Sequence, residues 1–253
     1  MSLLFQMIRA TSFRQFLDFA SPSFFEVMPT RALWSEGRAL MAAYRDAQGF
    51  EQALAHRRPR VEGFGVELSQ RPERAATPLR SLDEEARRKA GQRILEIYFH
   101  QLLDPEGPTL LDLSLVRWTF SEDRLVWHPG RGHKSWPQDF RSALAEVYVS
   151  FYTAQGELED ALERLGLAVA TDLFVKHFGE GDQRAVQFRV DHFTASFHQV
   201  FLRCRQHKVK LQPSFLPLGI YLATLYETLS AIDLPLDVRS AFEVALESRS
   251  GPA

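Results

Sequence analysis

The sequence predicts a mainly α, α+β protein in which a short β-hairpin is followed by a helical bundle. Beyond residue 137, apolar side chains recur at helical spacing in successive stripes, which is typical of packed helices. Before them, the runs 110–120 and 124–127 flank the turn Ser121-Glu122-Asp123, a pattern that predicts two antiparallel strands. With 253 residues, 45% of them apolar, the chain is long enough to bury a core of its own.

Composition excludes several classes of protein. The formal net charge of −2 provides no general positive field, so we expect no nucleic-acid partner. The single cysteine, Cys204, cannot form an internal disulfide, which favours a reducing, cytoplasmic location. The most apolar run, 215–232, contains Glu227 and several hydroxyls, so we expect no transmembrane segment.

The first unit is expected over 1–80, as an N-terminal helical segment with a short strand region. Its start, 1–30, is rich in phenylalanine at helical spacing. Thr30 is expected to cap the next helix and Gly49 to end it. The elements that follow are a helix over 31–47, a helix over 50–56, a strand over 60–68 and an exposed loop over 70–78.

The second unit, 81–247, is predicted to be the helical domain, with a frayed tail over 248–253. Ser81 and Glu84 have the spacing of a capping box, which predicts a helix from there to about residue 102. The turn 103–108 contains Pro105, Gly107 and Pro108, which prevent further helix. The stripe Phe193, Phe197 and Phe201 is expected to belong to the core.

Several short motifs occur in the order seen in a known family. Phe99-His100, Asp104-Pro105 and Gly107-Pro108-Thr109 follow one another at the end of a predicted helix, and His128-Pro129-Gly130 follows the hairpin. This order, over roughly residues 30 to 240, resembles the UbiB/AarF-type atypical kinase-like family, which is linked to ubiquinone biosynthesis. The resemblance implies a fold like a kinase C-lobe, with Glu36 as the helix glutamate that partners the nucleotide-binding lysine.

The departures from that family bear on function. Thr109 stands where a metal-binding Asn is expected and Pro129 where a metal-binding Asp is expected, and no lysine occurs in residues 1–30 before Glu36. Phosphoryl transfer needs those groups to position Mg²⁺ and phosphates. We therefore expect a non-catalytic, pseudokinase-like regulatory or scaffolding protein with a protein partner, no cofactor and no catalytic residue. The expected relic site comprises Glu36, His100, Asp104, Thr109 and His128.

Two alternatives remain open. One is a divergent kinase-like ATPase that uses Asp104 as its base. The other is a helical binding protein that holds an apolar ligand among its 20 phenylalanines. If Asp104 is instead structural, it needs a cationic partner, because a carboxylate after a helix C-terminus faces the negative end of the dipole. The expected partners are Arg131, Lys134 and, less strongly, His128.

Two groups of polar residues and one basic stretch are candidates for metal or anion binding. The histidines His100, His128 and His133 could form a zinc cluster, and Asp191, His192 and His198 share one helix; in both cases we favour side chains without a metal. The basic stretch near residue 205 could contact anionic headgroups at a membrane surface or an acidic partner, or could simply complement a helix C-terminus. Its members are Arg203, Arg205, Lys208 and Lys210.

Overall fold

The computed structural model describes residues 22–70, 77–178 and 185–250, in which the chain forms ten α-helices and short strands. The mainly α, α+β prediction is confirmed. The helices are α1 Pro22–Val27, α2 Thr30–Arg45, α3 Ala47–Gly63, α4 Glu84–Leu103, α5 Gln138–Thr153, α6 Leu158–Leu165, α7 Thr171–Phe178, α8 Val190–Gln206, α9 Phe215–Ile232 and α10 Val238–Ser250. The strands are β1 Val66–Leu68, β2 Thr77–Pro78, β3 Thr109–Leu110, β4 Trp118–Ser121, β5 Arg124–Trp127, β6 His133–Lys134, β7 Ala185–Val186 and β8 Leu236–Asp237.

The junction between α2 and α3 differs from the prediction. Pro29 occupies the N-cap of α2 without a side-chain capping hydrogen bond, and Thr30 is the first helical residue. Asp46 ends α2 and caps α3, where its Oδ1 accepts from the Gly49 amide at 2.9 Å. Gly49 therefore belongs to the first turn of α3 and does not end α2, because the aspartate supplies the stop and the next start together.

Helix α3 is longer than the sequence indicated. It continues through Pro59 to Gly63, so most of the strand expected over 60–68 is helical and only β1 is extended. Val61 and Phe64 are both buried and lie three residues apart, which is the spacing of a helix and not the alternation of a strand. Gly65, at φ +74°, turns the chain from the helix into β1, a backbone conformation that glycine adopts without steric cost.

The main sheet joins the two halves of the chain. Its strand order is β1-β5-β4-β2, with β1 parallel to β5 and β2 antiparallel to β4. Strands on both sides of residue 80 therefore share one sheet, and one continuous hydrophobic cluster includes residues from both sides. Of the loop expected over 70–78, residues 71–76 lie outside the described part, and residues 77 and 78 form β2.

The predicted hairpin is confirmed as β4 and β5, which pair antiparallel around the turn Glu122-Asp123. Both turn residues have positive φ, at 47° and 61°, as in the primed turns that match the twist of hairpin strands. Trp118 and Trp127 face each other across the pair and stack at 5.2 Å. The first strand is shorter than expected, because residues 111–117 form a loop ending in a 3₁₀ turn.

The N-terminal cap of α4 is Asp83, which accepts from the Ala86 amide at 2.8 Å. The predicted capping box at Ser81 is therefore wrong, since Ser81 lies in a 3₁₀ turn before the helix. An aspartate two residues later offers the same acceptor, and the extended backbone at Asp83 lets it reach the first turn. From Ile94 to Leu103 every residue of α4 is buried, so its C-terminal half runs through the core.

The chain beyond Pro137 forms the helical bundle, although β7 and β8 interrupt it as a two-stranded antiparallel pair. Phe193 and Phe201 are core residues as expected, whereas Phe197 is only half-buried. Cys204 is fully buried, and burial raises the pKa of its thiol to about 11. Helix α10 extends to Ser250, so 248–250 is helical where fraying was expected; 251–253 lie outside the described residues.

Helix α9 is the one described helix that is long and apolar enough to span a membrane. In this fold 72% of its apolar window is buried inside the protein. A core helix of a globular bundle satisfies the same length and composition test. Residues 1–21, including the phenylalanine-rich start, lie outside the described part of the chain.

Candidate functional site

Two short strands bring the loop 111–117 next to the segment 128–132. β3 pairs antiparallel with β6, and these strands bracket the β4-β5 hairpin in the chain. The Leu111 amide donates to the Gly132 carbonyl at 2.9 Å, and the His128 amide donates to the Arg117 carbonyl at 2.8 Å. The residues before and after the hairpin therefore meet at the end of β4 and β5 opposite the hairpin turn.

Asp112 is the centre of this loop and is completely buried. Its Oδ2 accepts from Arg117 Nε at 2.7 Å, and its Oδ1 accepts from the Ser114 amide and hydroxyl at 3.2 and 2.5 Å. A buried carboxylate is stable only when it is paired and hydrogen-bonded. The Arg117 guanidinium supplies the pairing charge and Ser114 supplies the remaining donors.

Gly130 closes the same cluster from the other side of the hairpin. A Cβ built at this position would overlap the Asp112 carboxylate and would lie 3.3 Å from Arg117 Nη2. Only a residue without a side chain allows the segment after β5 to approach Asp112 this closely. Asp112, Arg117 and Gly130 thus form one contact, which we call the Asp112 cluster.

The backbone around Asp112 is held by the core. The indole Nε1 atoms of Trp127 and Trp118 donate to the carbonyls of Asp112 and Leu113 at 3.2 and 3.0 Å. From α9, the Thr228 hydroxyl donates to the Leu113 carbonyl at 2.6 Å. The loop is therefore fixed to both the hairpin and the bundle, which leaves its carboxylate little freedom to reorient.

A cleft of about 340 Å³ lies over the Asp112 cluster. Its two walls are the segment carrying Arg117 and Gly130 and the junction between α2 and α3. The lining residues are Tyr44, Ala47, Phe50, Glu51, Gln70, Arg117, Pro129, Gly130 and Arg131. A molecule bound there would meet the arginine, because the Asp112 carboxylate lies beneath it and has no exposed surface.

Asp104 forms a second cluster at the C-terminus of α4. Its Oδ2 accepts from Arg57 Nη1 at 2.7 Å and His56 Nε2 lies 3.0 Å from it, while its Oδ1 accepts from the amides of Glu106 and Gly107. Burial alone would raise the pKa of Asp104, but the Arg57 charge and these donors outweigh it and hold the pKa well below its usual range. The carboxylate is therefore a poor proton acceptor.

Asp104 has a cationic partner, as predicted, but the partner is not one of the predicted residues. A cation does compensate the carboxylate, but it is Arg57 from α3 rather than Arg131 or Lys134. Arg57 is fully buried and also donates from Nε to the Pro108 carbonyl at 2.8 Å. Arg141, on α5, donates to the Asp104 carbonyl at 2.8 Å. Asp104 therefore connects three helices.

The other predicted relic residues make separate contacts. Glu36 forms an ion pair with Lys134 of β6. Thr109 is buried, and its Oγ1 accepts from Trp136 Nε1 at 2.6 Å. His128 is buried with Nε2 2.9 Å from the Thr119 hydroxyl. Each of these three side chains has a structural partner, and none of the three contacts involves Asp104.

His100 is buried next to the Asp104 cluster, at the end of α4. Burial and the nearby Arg57 charge lower the pKa of its imidazole to about 4, so the ring is neutral at pH 7. Nδ1 lies 3.4 Å from the Ser248 hydroxyl, and the ring packs edge-on against Phe64 at 5.6 Å. These contacts join the end of α10 to α4.

The residues considered for metals do not converge. In the described part of the chain, no group of three or more His, Cys, Asp and Glu side chains is placed to hold a metal ion. His133 lies near the first turn of α3, and His128 faces Thr119. His198 Nδ1 is 3.0 Å from the Ser23 hydroxyl, whereas Asp191 accepts from Arg189 at 3.4 Å.

The basic stretch is largely engaged within the protein. Arg203 pairs with Asp172 at 3.1 Å, Arg205 pairs with Glu26 at 2.8 Å, and Lys210 donates to the Glu26 carbonyl at 3.2 Å. Lys208 is exposed in the turn after α8, with a positive φ of 56°. These contacts fasten α8 to α1 and α7, so most of the stretch has a structural role that its position in the sequence did not reveal.

Sequence reasoning missed the Asp112 cluster and Arg57. Asp112 lies inside an apolar run whose pattern predicts a strand. A single carboxylate between leucines is itself a signal, because such a group must find a partner when it is buried. The five-residue spacing between Asp112 and Arg117 is also visible in the sequence. Nothing local marked Arg57, whose partner is 47 residues away.

Comparison with known proteins adds no name to this site. No protein-family model matches the chain, and no curated protein matches it either.

Proposed function

We propose that this chain is a pseudokinase-like regulatory or scaffolding protein whose kinase-type catalytic loop is closed by an internal ion pair. The proposal rests on the Asp112 cluster. In protein kinases the catalytic loop has the form H-R-D-x-x-x-x-N, with an Asp base and, five residues later, an Asn that binds metal. Asp112 and Arg117 have that spacing, and they lie directly before a hairpin.

The segment after the hairpin supports the same comparison. Kinases carry Asp-Phe-Gly there, and its Asp binds Mg²⁺. This chain has His128-Pro129-Gly130, whose glycine packs on Asp112. In this register Arg117 replaces the metal-binding Asn and His128 replaces the metal-binding Asp, which differs from the Thr109 and Pro129 correspondence that motif order suggested.

These replacements oppose catalysis for a physical reason. A Mg²⁺ ion between the catalytic loop and the segment after the hairpin needs oxygen ligands, whereas an arginine there is a fixed positive charge. The Arg117 guanidinium already neutralises the charge of the Asp112 carboxylate. The function left to such a site is to hold a rigid surface rather than to transfer phosphate.

The order of elements gives further support to the kinase-like, UbiB/AarF-type relationship. A long helix, a loop, a hairpin and then a series of helices follow one another, as the resemblance implies. Glu36 of α2 forms its ion pair with Lys134 after the hairpin. In an active kinase the corresponding helix glutamate pairs with the nucleotide-binding lysine. In this protein the negative charge of Glu36 is instead paired with Lys134, in a contact that holds the fold.

The divergent ATPase remains the competing function, with Asp104 as base. The Asp104 environment opposes it, because a carboxylate held by Arg57 has a depressed pKa and little tendency to accept a proton. The two functions give opposite results with nucleotide, so one measurement separates them.

The test is thermal unfolding with and without ATP and Mg²⁺. A ligand at 100 times its Kd would add about 2.7 kcal/mol of stability, which is readily detected. We expect no Mg²⁺-dependent shift for the wild type and none for Arg124→Gln, an exposed control. A Mg²⁺-dependent shift, together with ATP hydrolysis that Asp104→Asn abolishes without loss of stability, would establish the ATPase and reject the pseudokinase.

A further inference from the structure

Two cavities adjoin each other on the side of the bundle formed by α7, β7, α8 and α9. One is a surface groove of about 500 Å³, and the other is a pit of about 80 Å³ inside the bundle. Val186, Phe188 and Tyr226 line both of them. These three side chains therefore separate the groove from the pit.

The pit is largely apolar. Its lining consists of aliphatic side chains and aromatic rings from seven helices and the segment of β7, among them Leu144, Val147, Phe174, Phe197, Leu218 and Leu222. The hydroxyls of Tyr98 and Tyr148, which also line it, lie 2.7 Å apart and bond to each other. An apolar cavity of this kind stays dry and accepts apolar molecules.

The groove has a different chemistry. Its polar lining consists of Gln187, Arg189, His192, Ser196, His198 and Gln199. No acidic side chain lines it in the described part of the chain. Arg189 is more than half exposed and pairs with Asp191 at 3.4 Å, a surface contact that is weak in solution.

Aromatic rings form the boundary between the two cavities. Phe188 and Phe193 contact Tyr226 at 5.2 and 4.3 Å between ring centroids. Burial raises the pKa of Tyr226 well above its usual range, so its hydroxyl stays neutral. A molecule that reaches the pit from the groove has to pass these packed rings, which favours a narrow chain over a bulky ring system.

We infer that the two cavities form a binding site for a single-chain amphiphile with an anionic head. The chain end occupies the pit, whose volume of about 80 Å³ exceeds the space that a single water molecule needs. The remaining methylenes pass the aromatic rings, and the negatively charged head lies in the groove near Arg189 and His192. This site is separate from the Asp112 cluster, and it gives the apolar-ligand hypothesis a defined place and a head-group charge.

The test uses decanoate as probe, below its micelle concentration, with isothermal titration calorimetry on the full chain. We expect saturable binding with a negative heat-capacity change, the mark of buried apolar surface. Decyltrimethylammonium has a chain of the same length and the opposite charge, so it should bind at least about tenfold more weakly, a factor within reach of electrostatic complementarity. Acetate, which lacks the chain, should not bind.

Two variants examine the two ends of the site. Arg189→Gln should weaken decanoate binding about fivefold, the scale of one exposed charge contact. Arg124→Gln is its matched control, since Arg124 is similarly exposed and also pairs with an acidic neighbour at 3.4 Å. Leu222→Phe should fill part of the pit and reduce affinity for decanoate while leaving unfolding cooperative.

The inference is overturned if decanoate does not bind, if the cationic amphiphile binds equally well, or if Arg189→Gln and Arg124→Gln bind decanoate alike. The Arg189 result does not depend on whether Leu222→Phe folds. None of these outcomes bears on nucleotide binding, so failure here is distinguishable from failure of the pseudokinase proposal.

Discussion

Arg57 and Asp104 form an ion pair at 2.7 Å between α3 and the C-terminus of α4, with the arginine side chain fully buried. Gly107 completes this contact, because a Cβ there would overlap both His56 and the Asp104 carboxylate. The pair is thus enclosed by a turn with no room for a larger residue. The turn 103–108 joins α3, α4 and α5 through charge rather than through apolar packing alone.

We expect Asp104→Asn to destabilise the fold by about 3–5 kcal/mol, because removal of one partner leaves the Arg57 charge buried without compensation. Urea unfolding, read as a shift of the midpoint at constant m value, measures the change. Asp191→Asn is the control, since that carboxylate is exposed. Wild-type stability of Asp104→Asn would show that the pair contributes nothing to folding.

We expect stability to fall as the pH is lowered from about 6.5 to about 4, with His100 as a principal cause. The pKa of His100 in the folded protein is about 4, below the ordinary value of 6.5, so in this window the unfolded chain binds a proton that the folded chain does not. The linked loss is on the order of 3 kcal/mol. His100→Gln should flatten the profile between these pH values, and an unchanged slope would contradict the assignment.

Asp104 contributes to a lower pH range. Its folded pKa is depressed, so its stabilising effect is complete above the unfolded value of about 4 and is lost as the pH falls further. Unfolding measured below pH 4 in wild type and Asp104→Asn should therefore converge, whereas the two differ at pH 7.

We expect Gly130→Ala to destabilise the protein by about 1–3 kcal/mol, because the added methyl group would displace the buried Asp112 carboxylate or Arg117. Gly63→Ala is the control. A Cβ at Gly63 meets nothing within 4 Å, and the residue is helical, so alanine there should be neutral or slightly stabilising. Equal stability of the two variants would mean that the segment after β5 does not pack on Asp112 as described.

We expect the double substitution Glu122→Asn with Asp123→Gly to stabilise the hairpin by about 0.5–1 kcal/mol. Both residues have positive φ, which costs free energy for ordinary side chains, and Asn-Gly is the preferred pair in such a turn. Thermal unfolding should show a higher midpoint. A lower midpoint would imply that Glu122 or Asp123 has a contact that the turn needs.

The elements that follow from local patterns were largely predictable. The helical period of the apolar residues marks the bundle helices, and the Ser121-Glu122-Asp123 turn between apolar runs marks the hairpin, because both signals depend on neighbouring residues. The wrong predictions at the helix ends also come from local patterns. Asp46, Asp83 and Ser81 are all competent caps, and the local sequence does not decide which of them the folded backbone uses.

The site was decided by the tertiary structure. The sequence determined that Asp104 follows a helix and needs a cation, but the choice of Arg57 over Lys134 depends on how α3 packs on α4, since the partners lie 47 residues apart. The same holds for Gly130 against Asp112, which only the pairing of β3 with β6 brings together. Local propensity acts through residues next to each other in the chain, whereas compensation of a buried charge acts through space, and only the fold sets those distances.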